Sequence, residues 1–153
     1  MSSILAACGG FLLAVLWMDL MFDVQVLRSR DRDPELTEPV LASIASYYRR
    51  VTTDASPMGH LVAVVMAITL ITLAVQIAGG LGPRWLALAS LLLCSGPILL
   101  AIGRVVPNAV RLGARKDPEL RQSALARSIC RDHLLCFVGI LGFVAVQLSA
   151  ATR

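Results

Sequence analysis

Four long stretches of this chain, residues 2–18, 58–83, 85–103 and 134–152, contain no Asp, Glu, Lys or Arg. About 20 apolar residues, rising about 1.5 Å each, carry a helix across a bilayer, and each stretch is long enough, the first once it runs on past Asp19. Lipid offers no hydrogen bonds to an exposed backbone, so only helices or closed barrels can cross it. The apolar character here is continuous rather than alternating, which selects helices. Spans are expected near 3–27, 58–79, 84–106 and 133–150. Charged residues are 16% of the chain against about 25% in a soluble domain, which fits a protein whose solvent is largely lipid. The expected fold is an all-α integral membrane protein, a bundle of four transmembrane helices forming one domain over 1–153.

The connections divide unequally. Spans two and three are joined by Gly79-Gly80-Leu81-Gly82-Pro83, a tight glycine-rich turn. The other two connections are long and polar, and between them residues 28–57 and 104–133 hold 12 of the 14 basic side chains. Only Arg84 and Arg153 lie on the other side. The positive-inside rule then puts both long connections in the cytoplasm and both termini outside, in a multi-pass protein of the cell inner (cytoplasmic) membrane.

A short motif repeats. Asp33-Pro34-Glu35-Leu36 recurs as Asp117-Pro118-Glu119-Leu120, each copy after an odd-numbered span, and Leu41-Ala42 recurs as Leu125-Ala126 at the same offset. Asp as cap, Pro in the first turn and Glu at the positive end of the dipole read as a helix start. The pattern implies two parallel two-helix repeats, 1–80 and 81–153, with amphipathic cytoplasmic connecting helices. In the first connection Leu36, Val40, Leu41, Ile44 and Tyr48 make one apolar stripe, as in an interfacial helix with Tyr47 and Tyr48 at headgroup level. Ser56-Pro57 reads as the cap and first residue of span two. In the second connection nothing interrupts a helix from Glu119 into span four.

Several classes are excluded. The basic residues flank apolar runs rather than interleave with aromatics, so no nucleic-acid partner is expected. Cys8 and Cys94 lie inside apolar runs, where Cys acts as a small hydrophobe, and Cys130 and Cys136 have poor spacing for one helix face. Leu5-Ala6-Ala7-Cys8 imitates a lipoprotein cleavage site but lacks the basic residues and apolar core before it, so it reads as the start of a retained span.

Polar residues gather at one membrane level. Asp19 and Asp23 close span one, His60 opens span two, Arg104 and Asn108 close span three, and Asp132 and His133 open span four. Charges at such depth are costly and are expected to pair or to act. A shift of 85 residues aligns Asp19 with Arg104 and Asp23 with Asn108, which suggests an Asp19–Arg104 ion pair between the halves. On ideal helices Asp19 and Asp23 share a face with Leu12 and Val15. His60 shares one with Ala67, Ile71, Ala74 and Ala78, a small-residue face suited to close packing. Arg104, Asn108 and Arg111 share one with Pro97, itself an expected kink, and His133 shares one with Phe137, Ile140, Val144 and Gln147. Turned inward, these faces would enclose a polar pocket. Asp19, Asp23, His60 and His133 are chemically able to hold a divalent metal, and the two histidines a haem, but no tight ligand motif is present and no cofactor is favoured.

Val106-Pro107-Asn108 with Arg111-Leu112 after span three, and Arg131-Asp132-His133 entering span four, resemble the anthrone-oxygenase-like family of small four-span membrane proteins. Where that family carries a Trp before the last histidine, this chain reads Ser128-Ile129-Cys130. The resemblance implies oxygen addition to lipophilic aromatic or quinone-like molecules without an evident cofactor. His60, His133 and Asp23 would then be the catalytic groups, and Arg104, Asn108 and Asp19 would bind the substrate or its oxyanion. Two further readings stay open. One is a non-catalytic subunit or accessory protein of a larger membrane complex or a homo-oligomer. The other is a small proton-coupled transporter using Asp19 or Asp23.

Overall fold

The computed structural model describes residues 1–28, 35–80 and 82–151. Its elements are α1 (Ser2–Asp23), α2 (Gln25–Arg28), α3 (Glu38–Arg49), α4 (Ser56–Ala78), α5 (Arg84–Leu100), α6 (Val106–Ala114) and α7 (Glu119–Ala151), with π-helical segments at Arg50–Asp54 and Ala101–Val105. No strand occurs among the described residues. Four helical stretches are long and apolar enough to cross a membrane: Ser2–Leu27, Pro57–Ala78, Arg84–Ala114 and Glu119–Ala150. The protein is therefore an all-α, four-span membrane protein. Trp17 and Trp85 stand exposed near opposite ends of the bundle, as interface anchors do.

The expected turn between spans two and three is present. Gly80 and Gly82 have φ of +63° and +99°, a region that side chains with a Cβ rarely enter, and Pro83 precedes the first turn of α5. Leu81 lies outside the described residues, as do Asp33 and Pro34 of the first repeat motif. The second motif does not cap as expected. The Asp117 carboxylate pairs with Arg111 at 2.9 Å, while its carbonyl accepts from the Gln122 amide side chain at 2.6 Å. Span two likewise starts with Pro57 in its first turn but without a side-chain cap at Ala55.

Two cores hold the chain together. The first lies between the spans, around Leu5, Leu73, Cys94, Ile98 and Phe143. The second is built by the two polar connections, which pack against each other at one end of the bundle. There Leu41, Ile44 and Tyr48 of α3 meet Ala109 and Leu112 of α6 and Ala126 and Ile129 of α7, all nearly inaccessible. The α3 stripe thus faces protein rather than headgroups, which corrects the interfacial-helix expectation. Gly113 makes the approach possible: a Cβ there would stand 2.7 Å from the Arg49 backbone nitrogen, and backbone cannot swing aside. Helix α7, 33 residues and so about 50 Å, is long enough to run through the span core and into this cap without a break.

The two connections differ. The first folds as the separate helix α3. The second is α6, a turn in which Arg115 ends the helix at φ +49°, and then α7. The Arg115 guanidinium donates two bonds to the Glu38 carboxylate, at 2.9 and 2.7 Å, and so ties the start of α3 to that turn. This pairing holds the Glu38 carboxyl below, and the Arg115 guanidinium above, their ordinary ranges. The Ser123 hydroxyl accepts the Leu36 backbone N–H at 2.9 Å and fixes the same end of the connection.

Candidate functional site

The first span ends where its polar residues begin. Asp23 is the last residue of α1 and is fully buried, on the same inward face as Leu12 and Val26. Two partners reach it. The Tyr48 hydroxyl of α3 donates to Oδ1 at 2.6 Å, and His133 of α7 presents Nδ1 to Oδ2 at 2.6 Å. Tyr48 Oη is also 3.3 Å from that nitrogen. One turn earlier, Asp19 accepts from the Tyr47 hydroxyl at 2.6 Å and places Oδ2 3.7 Å from His133 Nε2. The Tyr47 ring stacks on Phe22 with centroids 4.0 Å apart. Burial, with the nearby Asp19 and Asp23 carboxylates, pushes both tyrosine hydroxyls up, so they remain donors at any ordinary pH. The result is a closed set in which one imidazole lies between two carboxylates, and each carboxylate carries a phenol from α3.

The arrangement departs from expectation in four ways. First, Asp19 does not pair with Arg104. Arg104 is half exposed and bonds Asp132 of α7 at 3.2 Å and Ser128 at 3.1 Å, while Asp19 takes Tyr47 and His133. The cause is local. The π segment at Ala101–Val105 follows Pro97 and contains Arg104 itself, so the regular-helix register assumed for the pairing does not hold there. Arg104 and Arg111 are accordingly exposed and Asn108 is half-buried, while Val105, Ala109 and Leu112 turn inward.

Second, His60 does not join His133. It stands exposed at the start of α4, whereas His133 is buried. The face of α4 expected to turn inward, with Ala67, Ile71, Ala74 and Ala78, is exposed; Thr69, Leu73 and Gln76 are buried instead. On a lipid-facing helix both sides are apolar, so composition does not tell one from the other. Third, the bundle interior is not a polar pocket. It holds a cavity of about 120 Å³ between α1, α4, α5 and α7 with apolar walls, reached by polar groups only at the Asp19–His133 end and the Cys136 thiol. Fourth, Tyr47 and Tyr48 were expected at headgroup level, yet they complete the acidic cluster. The signal was available: Tyr48 sits on the same apolar stripe as Leu41 and Ile44, which would bring its hydroxyl inward with them. Among the described residues no group of three His, Cys, Asp or Glu is placed to hold a metal ion.

At the opposite end of the spans, Gln147 of α7 is fully buried and donates to the Ser90 hydroxyl of α5 at 2.7 Å. This pair lies on the same α7 face as His133 and Ile140, as the sequence indicates.

A family model described as ER membrane protein SH3, the SHR3 chaperone family, matches residues 2–151. No curated protein and no solved structure matches. The match covers nearly the whole chain, and the chain belongs to this family. Membership overturns the resemblance to anthrone-oxygenase-like proteins and, with it, the oxygenase function that the resemblance implies. The short motif that carried the resemblance has structural work in this fold. Pro107 begins α6 after the π segment, Leu112 is fully buried in the cap and Arg111 holds Asp117. The inner-membrane location is overturned as well, since the family is one of endoplasmic-reticulum membrane proteins. Loop charge argues orientation within a bilayer and says nothing about which bilayer it is.

Proposed function

We propose that the chain is a non-catalytic accessory protein of the endoplasmic-reticulum membrane, a chaperone that associates with multi-span membrane proteins during their maturation. Family membership over residues 2–151 carries this reading. The chemistry of the polar level supports it. Asp23 and the Nδ1 edge of His133 are hydrogen-bonded to one another, and Tyr48 donates to the same carboxylate. Asp19, Asp23 and His133 serve in this reading as positioning residues that dock α3 on α1 and α7, and Arg104 does the same for Asp132.

The client-facing surface proposed is the outer side of α4. That helix packs against α1 and α5, while Ala67, Ile71, Ala74 and Ala78 face outward. Small side chains let a second helix approach closely in lipid, where packing rather than water exclusion drives association. The expectation of a larger membrane complex is met in this reading by the client itself.

Depletion of the chain in cells tests the proposal. A subset of multi-span membrane proteins is expected to aggregate or remain in the endoplasmic reticulum, and Ala67→Phe with Ala74→Phe is expected to reproduce this while the chain itself stays folded. Normal export of every multi-span protein in depleted cells contradicts the reading.

A further inference from the structure

The half-open apolar pocket between the spans has no part in the chaperone reading, and its chemistry is specific. Its volume is about 120 Å³. A dry apolar cavity of about 150 Å³ is known to take a benzene-sized molecule, so this one suits a body of about five or six carbons. Leu12, Val15, Met66, Ile98 and Ile140 are among its lining residues, which come from all four spans. It lies against the irregular part of span three: Pro97 and both ends of the π segment, Ala101 and Val105, line it.

One end of the cavity is different. Asp19 and His133 both line it. The Nδ1 edge of the imidazole is taken by Asp23 and Tyr48, which leaves the Nε2 edge toward Asp19. There Nε2 and Asp19 Oδ2 are 3.7 Å apart, too far for a hydrogen bond between them. The buried imidazole edge and the partly buried carboxylate oxygen face each other but are not joined by a hydrogen bond. A single hydroxyl placed between them would donate to Oδ2 and, with the imidazole protonated, accept from Nε2–H, which satisfies both. A hydrocarbon would satisfy neither.

We propose that this cavity is a binding site for a small lipophilic alcohol: one hydroxyl held between Asp19 Oδ2 and His133 Nε2, and a compact aliphatic body in the apolar chamber. The hydroxyl belongs either to a free amphiphile dissolved in the bilayer or to the alcohol end of a membrane lipid. Helix α4 is the wall that admits it, because α4 packs against α1 and α5 while α7 is sealed against both of those helices. Binding involves no chemical step.

The test uses the full chain in nanodiscs of defined phospholipid, with the side-chain 15N resonances of His133 as readout. Cyclohexanol is the probe for the free amphiphile, methylcyclohexane is its hydrocarbon counterpart, and cholesterol in the nanodisc is the lipid alcohol. Cyclohexanol is expected to shift the Nε2 resonance saturably and to bind about tenfold more tightly than methylcyclohexane, the usual worth of a hydrogen bond to a charged group. Val62→Phe and Ala101→Leu, each filling the chamber from a different helix, are expected to abolish the shift while leaving the Nδ1 resonance in place, which shows the cluster intact. A shift produced by cholesterol and not by cyclohexanol assigns the site to a lipid alcohol. No saturable shift with either alcohol, equal affinity for methylcyclohexane, or a shift that survives both filling variants overturns the proposal. None of these outcomes bears on client association.

Discussion

The bundle buries polar groups at both ends, and the two ends treat them differently. At the connection end, Asp19, Asp23, Tyr47, Tyr48 and His133 come from three helices and are joined by contacts as short as 2.6 Å. At the other end, Gln147 makes one bond, 2.7 Å to Ser90, and its carbonyl Oε1 is buried with no hydrogen-bond partner among the described residues. Charge explains the contrast. A buried carboxylate left without partners is severely destabilising, so each one draws in donors and must be served completely. A buried amide costs far less, and half of it can go unmatched. The first end is a set that stands or fails together, and the second is a single interaction that apolar packing can replace.

The largest effect is expected from Asp23→Ala. It strands the Tyr48 hydroxyl and the His133 ring in a sealed site, and a loss of about 3–5 kcal/mol is expected, seen as a large fall in thermal midpoint in detergent. A loss under about 1 kcal/mol would show that the cluster is not a joined set. Next come the two phenols. Tyr48→Phe removes a donor from fully buried Asp23 and is expected to cost about 1–3 kcal/mol. Tyr47→Phe keeps the stack on Phe22 and serves the less buried Asp19, so about 0.5–1.5 kcal/mol is expected. A reversed order would place the weight of the cluster on Asp19.

At the far end, Ser90→Ala combined with Gln147→Met removes both partners at once, and stability is expected to stay within about 1 kcal/mol of the parent. A large loss there would erase the contrast. The smallest effect belongs to the exposed Glu38–Arg115 contact. Its carboxyl is held below the ordinary range, so its stabilisation is present above the unfolded carboxylate range and fades as pH falls through the folded value. Acid titration of the parent and of Glu38→Gln should therefore converge at low pH and separate slightly near neutrality.

Span number and the helicity of the connections were legible in the sequence, because each rests on apolar length or on periodicity within one element. The presence of a polar cluster at one end of the spans was legible too. Its partners were not. The offset that aligned Asp19 with Arg104 assumed a regular helix past Pro97, whereas Arg104 lies within the π segment and pairs with Asp132. The inward face of α4 was read as Ala67 and Ala74, although Thr69, Leu73 and Gln76 turn inward, because lipid removes the polar outer face that marks orientation in water. Tyr48 was assigned to lipid although its neighbours Leu41 and Ile44 belong to a protein core, since an amphipathic stripe does not say what covers it. The sequence grouped Asp19, Asp23, His60 and His133 at one level without saying which would touch, and in the fold Asp23 meets His133 and Tyr48.

The central claim is that the acidic cluster exists to hold the α3 cap on the spans. Hydrogen exchange in Asp23→Asn tests it directly, comparing backbone amides of residues 41–48 with those of 133–147. The claim requires the α3 amides to lose about tenfold or more of their protection while the α7 amides keep theirs, as expected when one cooperative unit opens and the span core does not. Equal loss across both segments, or full protection of α3, would contradict it.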